Sequence, residues 1–236
     1  MSGLLALLGG QEHTEGCEAI DRRLLEEVGS DRPSVTVVLA ASTPRRRAFK
    51  THEAHAYWGR LGCDVQIAMA GGADETQRAL DALAAPDIVV LTGGHPWLLH
   101  ARLDRSPVLE RILDLWHSGV PLSGSSAGAI ALCEWRQYLK PPRPFRLVPG
   151  AFRVLPGTAA APHFDRYGLH RWARAVSRRY PKLRILGLND QTALVGRGDE
   201  FTVVGQHDVA MVQGGRATRF PVGATLEVGM PAGVMA

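Results

Sequence analysis

The segment Gly124-Ser125-Ser126-Ala127-Gly128-Ala129 carries the sharpest chemical signal in this sequence. Apolar Pro121-Leu122-Ser123 runs into it, and the helix-forming stretch Ala129–Leu132 runs out of it. Strand, Gly-x-Ser-x-Gly, helix is the pattern of a nucleophile elbow. The chain turns so tightly at such an elbow that side chains at the flanking positions would collide, which accounts for Gly124 and Gly128. Ser126, centred between them, would project from the carboxyl end of a strand at the start of a helix. An oxyanion formed there would meet the amide of Ala127 and the positive end of the helix dipole. A plain Gly/Ser-rich turn has the same letters; the strand before and the helix after favour the catalytic reading. Ser123 and Ser125 are either substrate-facing hydroxyls or buried turn residues.

A serine nucleophile needs a base, and the base needs an orienting acid. His163 follows Ala161-Pro162 and precedes a helical stretch. Asp190 lies in Gly187-Leu188-Asn189-Asp190-Gln191-Thr192-Ala193, at the end of an apolar run. Loops at the carboxyl ends of strands converge on one crevice in an open α/β sheet, so Ser126, His163 and Asp190 can meet there. The chain order Ser, His, Asp differs from the Ser, acid, His order of α/β-hydrolases. With nine histidines in the chain, residue types alone leave the base open.

Other candidate centres are weaker. Cys133 falls inside the helix after the elbow and reads as core. His52-x-x-His55 lacks the Glu and third ligand of a zinc hydrolase and reads as a solvated helix face, so no metal is assigned. The glycine pairs 9–10, 71–72 and 93–94 form neither a P-loop nor a dinucleotide fingerprint, and no cofactor is implied. Arg45-Arg46-Arg47 reads as a surface cluster at a helix start.

The elements that must position these groups alternate along the chain. Leu4–Leu8, Ser34–Ala40, Asp64–Met69, Asp87–Leu91 and Val120–Ser123 read as strands, with helical periodicity over Cys17–Val28, up to Arg60, and over Val108–His117. Apolar strands alternating with helices predict a parallel sheet covered on both faces. Residues 140–162, with six prolines, predict a loop-rich or antiparallel excursion. Helical periodicity returns after Tyr167, and Arg184–Leu188, Thr192–Val195, Phe201–Val204 and Ala210–Val212 are expected to close the sheet. The expectation is one domain over residues 1–236, an αβα sandwich with a mostly parallel central sheet.

With 45% apolar and 21% charged residues the composition is that of a globular protein. No apolar run reaches the roughly 18 residues that a membrane span needs, and Leu4–Leu8 reads as a buried strand rather than a signal segment. Three widely spaced cysteines suggest no disulfide framework, so a cytoplasmic location is expected. The net charge of +4 conceals an asymmetry: residues 136–184 hold ten Arg and two Lys against one acid, Asp165. That stretch flanks His163 and lacks a nucleic-acid motif, which favours a small anionic substrate over a nucleic acid. Arg166 and Arg171 are the first candidates to hold a substrate carboxylate by bidentate pairing.

Nearly the whole chain resembles the aspartyl dipeptidase/cyanophycinase family of serine peptidases, which have a class I glutamine-amidotransferase-like fold. The resemblance is carried by Leu7-Leu8-Gly9-Gly10-Gln11-Glu12, Thr92-Gly93-Gly94, Gly124-Ser125-Ser126-Ala127-Gly128-Ala129, Leu155-Pro156-Gly157, His163-Phe164 and Gly187–Leu194. It implies that Ser126 is the nucleophile, His163 the general base and Asp190 the acid, with the amides of Gly94 and Ala127 forming the oxyanion hole. The sequence departs from the family where Gly-Gly-Asp/Asn-Gln becomes Gly93-Gly94-His95-Pro96, which removes a polar substrate contact and adds His95. Asn189 stands in place of the usual acid before Asp190. The arginine series that follows His-Phe in cyanophycinases falls here on Tyr167, Leu169 and Trp172, with Arg166, Arg171 and Arg174 out of register.

The expected activity is therefore hydrolysis of a peptide or amide bond in a small, carboxylate-bearing substrate through a Ser-His-Asp triad and an acyl-enzyme. No nucleic-acid or membrane partner is expected, and a homodimer is possible. Two alternatives stand beside it: an acyltransferase or peptide-tailoring enzyme on the same triad, and a catalytically silent member that binds a small anion.

Overall fold

A computed structural model describes residues 1–71, 73–138 and 146–228 of the chain. The chain begins with β1 (Leu5–Leu8), a 3-10 turn (Glu15–Cys17), α1 (Glu18–Val28), β2 (Ser34–Val38), α2 (Pro44–Arg60) and β3 (Asp64–Ala68). There follow α3 (Ala73–Ala82), β4 (Ile88–Leu91), α4 (Pro96–Leu103), α5 (Pro107–His117), β5 (Leu122–Ser125) and α6 (Ala127–Leu132). Next come β6 (Cys133–Tyr138), β7 (Arg146–Pro149), β8 (Leu155–Pro162), α7 (His170–Arg179) and β9 (Arg184–Leu188). The last are β10 (Thr192–Arg197), β11 (Glu200–Gly205), β12 (Val209–Gln213), β13 (Arg216–Phe220) and β14 (Thr225–Glu227).

The architecture is mixed α/β with a large central sheet, as the alternation of elements predicts. That sheet has eight strands in the order β14-β11-β10-β1-β5-β4-β2-β3. From β1 to β3 the neighbours are parallel, whereas β10, β11 and β14 add on antiparallel. β1 is buried along its whole length, as befits a strand with neighbours on both edges and helices on both faces. Its side chains separate by the two-residue strand period. Leu4, Ala6 and Leu8 pack with Ile20 and Leu24 of α1 and with Ala54 and Trp58 of α2. Leu5 and Leu7 share the opposite core with Ala79 of α3, Leu99 of α4 and Ile112 of α5.

One expectation is corrected. Arg184–Leu188 and Ala210–Val212 do not close the central sheet; they lie in a second sheet of six strands, β13-β12-β9-β8-β6-β7. An apolar run states that a strand is buried, but not which neighbour it pairs with. The described part of the 140–162 excursion is built into this second sheet. β7 pairs antiparallel with β6, and β8 runs parallel to both β6 and β9. Pro149 and Pro162 sit at strand ends and Pro156 is the second residue of β8, positions compatible with a proline that cannot donate to a ladder. Residues 139–145 of the excursion lie outside the described residues. One face of the second sheet is covered by α7, through Phe164, Leu169, Ala173, Ile185 and Val212. Its other face, with Leu155, Ala160, Leu186 and Leu188, joins the same core as α6. All of α6 is buried as a result.

A buried carboxylate ties α1 to α2. Asp21 is 6% exposed and accepts a hydrogen bond from the Tyr57 hydroxyl at 2.6 Å. Burial pushes its carboxyl up to about 7; the Tyr57 bond opposes that rise, and the charges of Glu12 and Glu18 add to it. The folded state therefore holds a proton that the unfolded chain releases near its ordinary value of about 3.9. The stabilisation is complete below that value and is lost as pH rises through the folded value. Asp21→Asn should flatten the dependence of the unfolding midpoint on pH between about 4 and 7, by up to about 1.4 kcal/mol per pH unit. Urea titrations of both proteins across that range test this, and equal slopes would show that Asp21 does not carry the linkage.

Candidate functional site

Ser126 follows the last residue of β5 and precedes the first of α6, with φ 47° and ψ −100°. A non-glycine residue held in that region is strained, at a cost of order 1–3 kcal/mol. The strain is held by the Ser126 amide, which donates to the Leu8 carbonyl at 2.9 Å, and by the Ser126 carbonyl, which accepts from Ile130 at 3.0 Å. The glycines on either side have the role that the sequence assigns them. A Cβ at Gly128 would lie 2.4 Å from the Leu91 carbonyl oxygen, and one at Gly124 would lie 2.7 Å from the carbonyl carbon of Gly128. Any larger residue at either position would push α6 off β4 and β5.

His163 follows β8, the second sheet's parallel strand, and Asp190 follows β9. Ser126 Oγ lies 3.0 Å from His163 Nε2, and His163 Nδ1 lies 2.5 Å from Asp190 Oδ1. With the proton on Nδ1 facing the carboxylate, Nε2 is left to accept from the serine hydroxyl. Main-chain bonds from the end of β1 hold both partners. The His163 amide donates to the Gly9 carbonyl at 3.1 Å, and the Gln191 amide to the Gly10 carbonyl at 3.0 Å. Gly10 has φ 145° and lies directly beneath the pair: a Cβ there would sit 2.2 Å from His163 Cε1 and 2.8 Å from Asp190 Oδ1. His163 and Gln191 have positive φ, 53° and 54°, so the backbone is strained on both sides of the site.

The turn after β4 closes the remaining side. A Cβ at Gly93 would lie 3.3 Å from Ser126 Cβ, so Thr92-Gly93-Gly94 borders the serine directly. Gly94 is exposed with φ 146°, and its neighbours' amides are engaged, Gly93 with Glu12 and His95 with the Ala41 carbonyl. Ala127, at the first position of α6, is buried. Pro96 is the first residue of α4, where its missing N–H costs no helix bond. His95 is exposed, with its ring 6.2 Å from that of Trp97.

Glu12 is a residue to which sequence reasoning gives no role. It lies beside the serine with its side chain only 10% exposed. Its carboxylate accepts from the Gly93 amide at 3.0 Å and from the Ser125 hydroxyl at 2.7 Å, with Lys50 Nζ at 3.4 Å. Burial would raise this carboxyl, but Lys50, the Ser125 bond, His13 and its own backbone amide outweigh it and hold the group below its ordinary value. Ser125 therefore faces Glu12, and Ser123 is neither substrate-facing nor in a turn: it is a buried residue of β5, 3% exposed.

Of the two arginines singled out, only Arg166 reaches the group. Its Nη1 lies 3.3 Å from Asp190 Oδ2, its guanidinium stands over the Tyr167 ring, and its side chain is 57% exposed. Arg171 is exposed on α7, and no contact among the described residues joins it to Ser126, His163 or Asp190. Arg174, Arg178 and Arg179 are exposed on the same helix, so much of the positive stretch is solvated surface. Arg47 of the earlier cluster pairs with Glu75 of α3, and His52 and His55 are exposed on α2. Burial pushes the Cys133 thiol up to about 12, opposed by contacts to Thr158 and Ala160, which fits a core residue. Among the described residues no group of three or more His, Cys, Asp or Glu is placed to hold a metal ion, and no helix is long and apolar enough to cross a membrane.

Asn189 has a local explanation. Its Nδ2 donates to Asp165 Oδ2 at 3.1 Å and to the Asp208 carbonyl and Oδ1 at 3.1 and 3.2 Å, while its Oδ1 accepts from the Asp165 amide at 3.0 Å. Arg219 bridges Asp165 and Asp208, its bond holding the Asp165 carboxyl below its ordinary range, and His170 Nε2 lies 3.0 Å from Asp165. A carboxylate at 189 would face the same three oxygens with no donor to offer them. Asn189→Asp is expected to cost about 1–3 kcal/mol of stability at neutral pH and less once the carboxylates are protonated. Denaturant melts at pH 7 and in mild acid check this, and an unchanged midpoint at neutral pH would contradict it.

Similarity to solved structures fits this architecture. The fold superposes on that of a peptidase from an acI-B1 Actinobacterium with a TM-score of 0.81, at 22% identity, covering 96% of this chain and 97% of the other. It also matches a protein assigned as a peptidase E from Listeria monocytogenes EGD-e, with a TM-score of 0.58 and 16% identity, over 94% of this chain and all of the other. At such identities the likeness is one of fold. No curated protein sequence gives a match. Residues 4–204 match the model of Peptidase family S51, the family that contains dipeptidase E and cyanophycinase, and the chain belongs to that family of serine peptidases.

Proposed function

We propose that the protein hydrolyses a peptide or amide bond in a small, carboxylate-bearing substrate through an acyl-enzyme on Ser126. The observation that carries this reading is the hydrogen-bonded chain from Ser126 through His163 to Asp190, with separations of 3.0 and 2.5 Å. In it, Ser126 Oγ attacks the substrate carbonyl as His163 Nε2 takes the hydroxyl proton. Asp190 holds the ring in the tautomer that leaves Nε2 basic and stabilises the imidazolium that forms. The carbonyl oxygen, now an oxyanion, accepts from the amides of Gly94 and Ala127, which were oriented before the charge developed. The tetrahedral adduct collapses as the carbon–nitrogen bond breaks and His163 protonates the departing amine. Water then enters, gives a proton to His163 and releases the acid, regenerating the serine.

Arg166 is the group assigned to the substrate carboxylate. Among the described residues it is the arginine that contacts the triad, and its exposed side chain leaves donors free beside Asp190. His95 is exposed and next in sequence to Gly94, whose amide is assigned to the oxyanion. The 3.0 Å contact between Ser126 and His163 argues against a catalytically silent protein.

Ser126→Ala should abolish covalent labelling by a fluorophosphonate and lower turnover of a susceptible dipeptide by about a thousandfold or more. Persistent labelling in that variant would place the nucleophile elsewhere. Arg166→Ala should raise KM by about tenfold for dipeptides with a free carboxylate, with a smaller change for their amidated counterparts. An equal effect on both substrates would remove Arg166 from carboxylate recognition.

A further inference from the structure

The two amides assigned to the oxyanion hole come from different strands, and nothing in the covalent chain fixes one against the other. Gly94 belongs to the turn after β4, and Ala127 follows the elbow after β5. An oxyanion donor is effective only when its N–H is aimed to within a few tenths of an ångström of where charge develops. The two loops therefore need a rigid link, and Glu12 supplies it. One carboxylate oxygen accepts from the amide of Gly93, the residue before Gly94. The other accepts from the hydroxyl of Ser125, the residue before Ser126.

We infer that Glu12 is a positioning residue, a planar two-oxygen clamp that locks the oxyanion turn to the nucleophile elbow. This inference rests on the proposed reading of Ser126 and the oxyanion amides, and it adds a residue that acts through both.

Three further features fit this role. A carboxylate is acceptor-only, so both of its oxygens can receive donors at once, here an amide N–H and a hydroxyl. The charge is kept in place: Lys50 lies 3.4 Å away, and its ammonium is also 3.1 Å from Glu53. The fit is close on every side, because a Cβ at Gly93 would lie 3.1 and 3.2 Å from the two Glu12 oxygens as well as 3.3 Å from Ser126 Cβ. Glycine at 93 thus allows the carboxylate, the turn and the serine to meet. A side chain one methylene shorter could not span both donors from the same backbone position.

The test compares wild type, Glu12→Gln, Glu12→Ala, Ser125→Ala and the double variant Glu12→Ala/Ser125→Ala, each normalised to its own active sites by fluorophosphonate titration. Glu12→Ala should lower kcat per titrated site by about tenfold to a hundredfold, less than the loss of an oxyanion donor itself, with KM changed less than threefold. Affinity for a peptide boronate, which forms a tetrahedral adduct on the serine, should fall by the same factor as kcat/KM. Glu12→Gln keeps the shape and can retain the Gly93 bond, so it should recover most of the lost rate. Ser125→Ala should give a smaller loss that is not additive with that of Glu12→Ala, because both act on one link. Should Glu12→Ala fail to fold, Ser125→Ala still decides the matter by its kcat per titrated site and its boronate affinity. A structural role alone would reduce the number of titratable sites while leaving each at the wild-type rate, and that result overturns the inference. So does wild-type boronate affinity in Glu12→Ala, or in Ser125→Ala where Glu12→Ala does not fold. Labelling that does not depend on Ser126 would instead overturn the proposed mechanism and the inference with it.

Discussion

The site depends on how the chain leaves the carboxyl end of β1. Within five residues that segment touches every loop of the site: the Leu8 carbonyl holds the Ser126 amide, Gly9 holds His163, Gly10 holds Gln191, and the Glu12 side chain holds Gly93 and Ser125. Such density is possible only where the backbone itself can be approached. A Cβ at Gly9 would lie 2.1 Å from the Asn189 carbonyl oxygen, and one at Gly10 would collide with the histidine. Two glycines at the end of the central buried strand thus let four loops from two sheets close on one point.

Electrostatics then separates the carboxylates into different roles. Asp190, its side chain 22% exposed, lies between His163 and Arg166 and faces the imidazole ring. Glu12 is buried, and its charge is balanced by Lys50 and by hydrogen bonds to neutral donors rather than by the histidine. Asp165 and Asp208 belong to Arg219, which fastens the loop after His163 to the loop between β11 and β12. Each negative charge near the site thus has its own partner, and only the Asp190 pair connects to the serine. This matters because an uncompensated carboxylate beside the nucleophile would oppose the developing oxyanion.

Much of the site was legible in the residues because close packing leaves letters that few other requirements explain. The Gly-x-Ser-x-Gly spacing announced both the strained serine and the helix behind it. The apolar runs of the first half announced strands, since a parallel strand with helices on both faces must be apolar throughout. Legibility ended where a residue's partner lies far along the chain. Glu12 and Gly93 are 81 residues apart, and Glu12 and Ser125 are 113 apart, so no local pattern marks the acid as a link. The charge excess over residues 136–184 misled in a related way. Helical spacing sends the arginines of α7 to solvent, and among the described residues of the stretch it is Arg166, in the turn before that helix, that contacts Asp190.

From the sequence alone came the elbow, the alternation of strands and helices, and the set from which nucleophile, base and acid are drawn. Those properties follow from local sterics and from the period of apolar residues, and both can be read from neighbours in the chain. The tertiary structure decided that β9 and β12 leave the central sheet for a second one, enclosing α6 between the two. It also decided which of nine histidines meets the serine and which acid ties the turn after β4 to the elbow. Strand pairing and the meeting of distant loops depend on which surfaces exclude water together. That is a property of the whole packed chain, which a single segment does not contain.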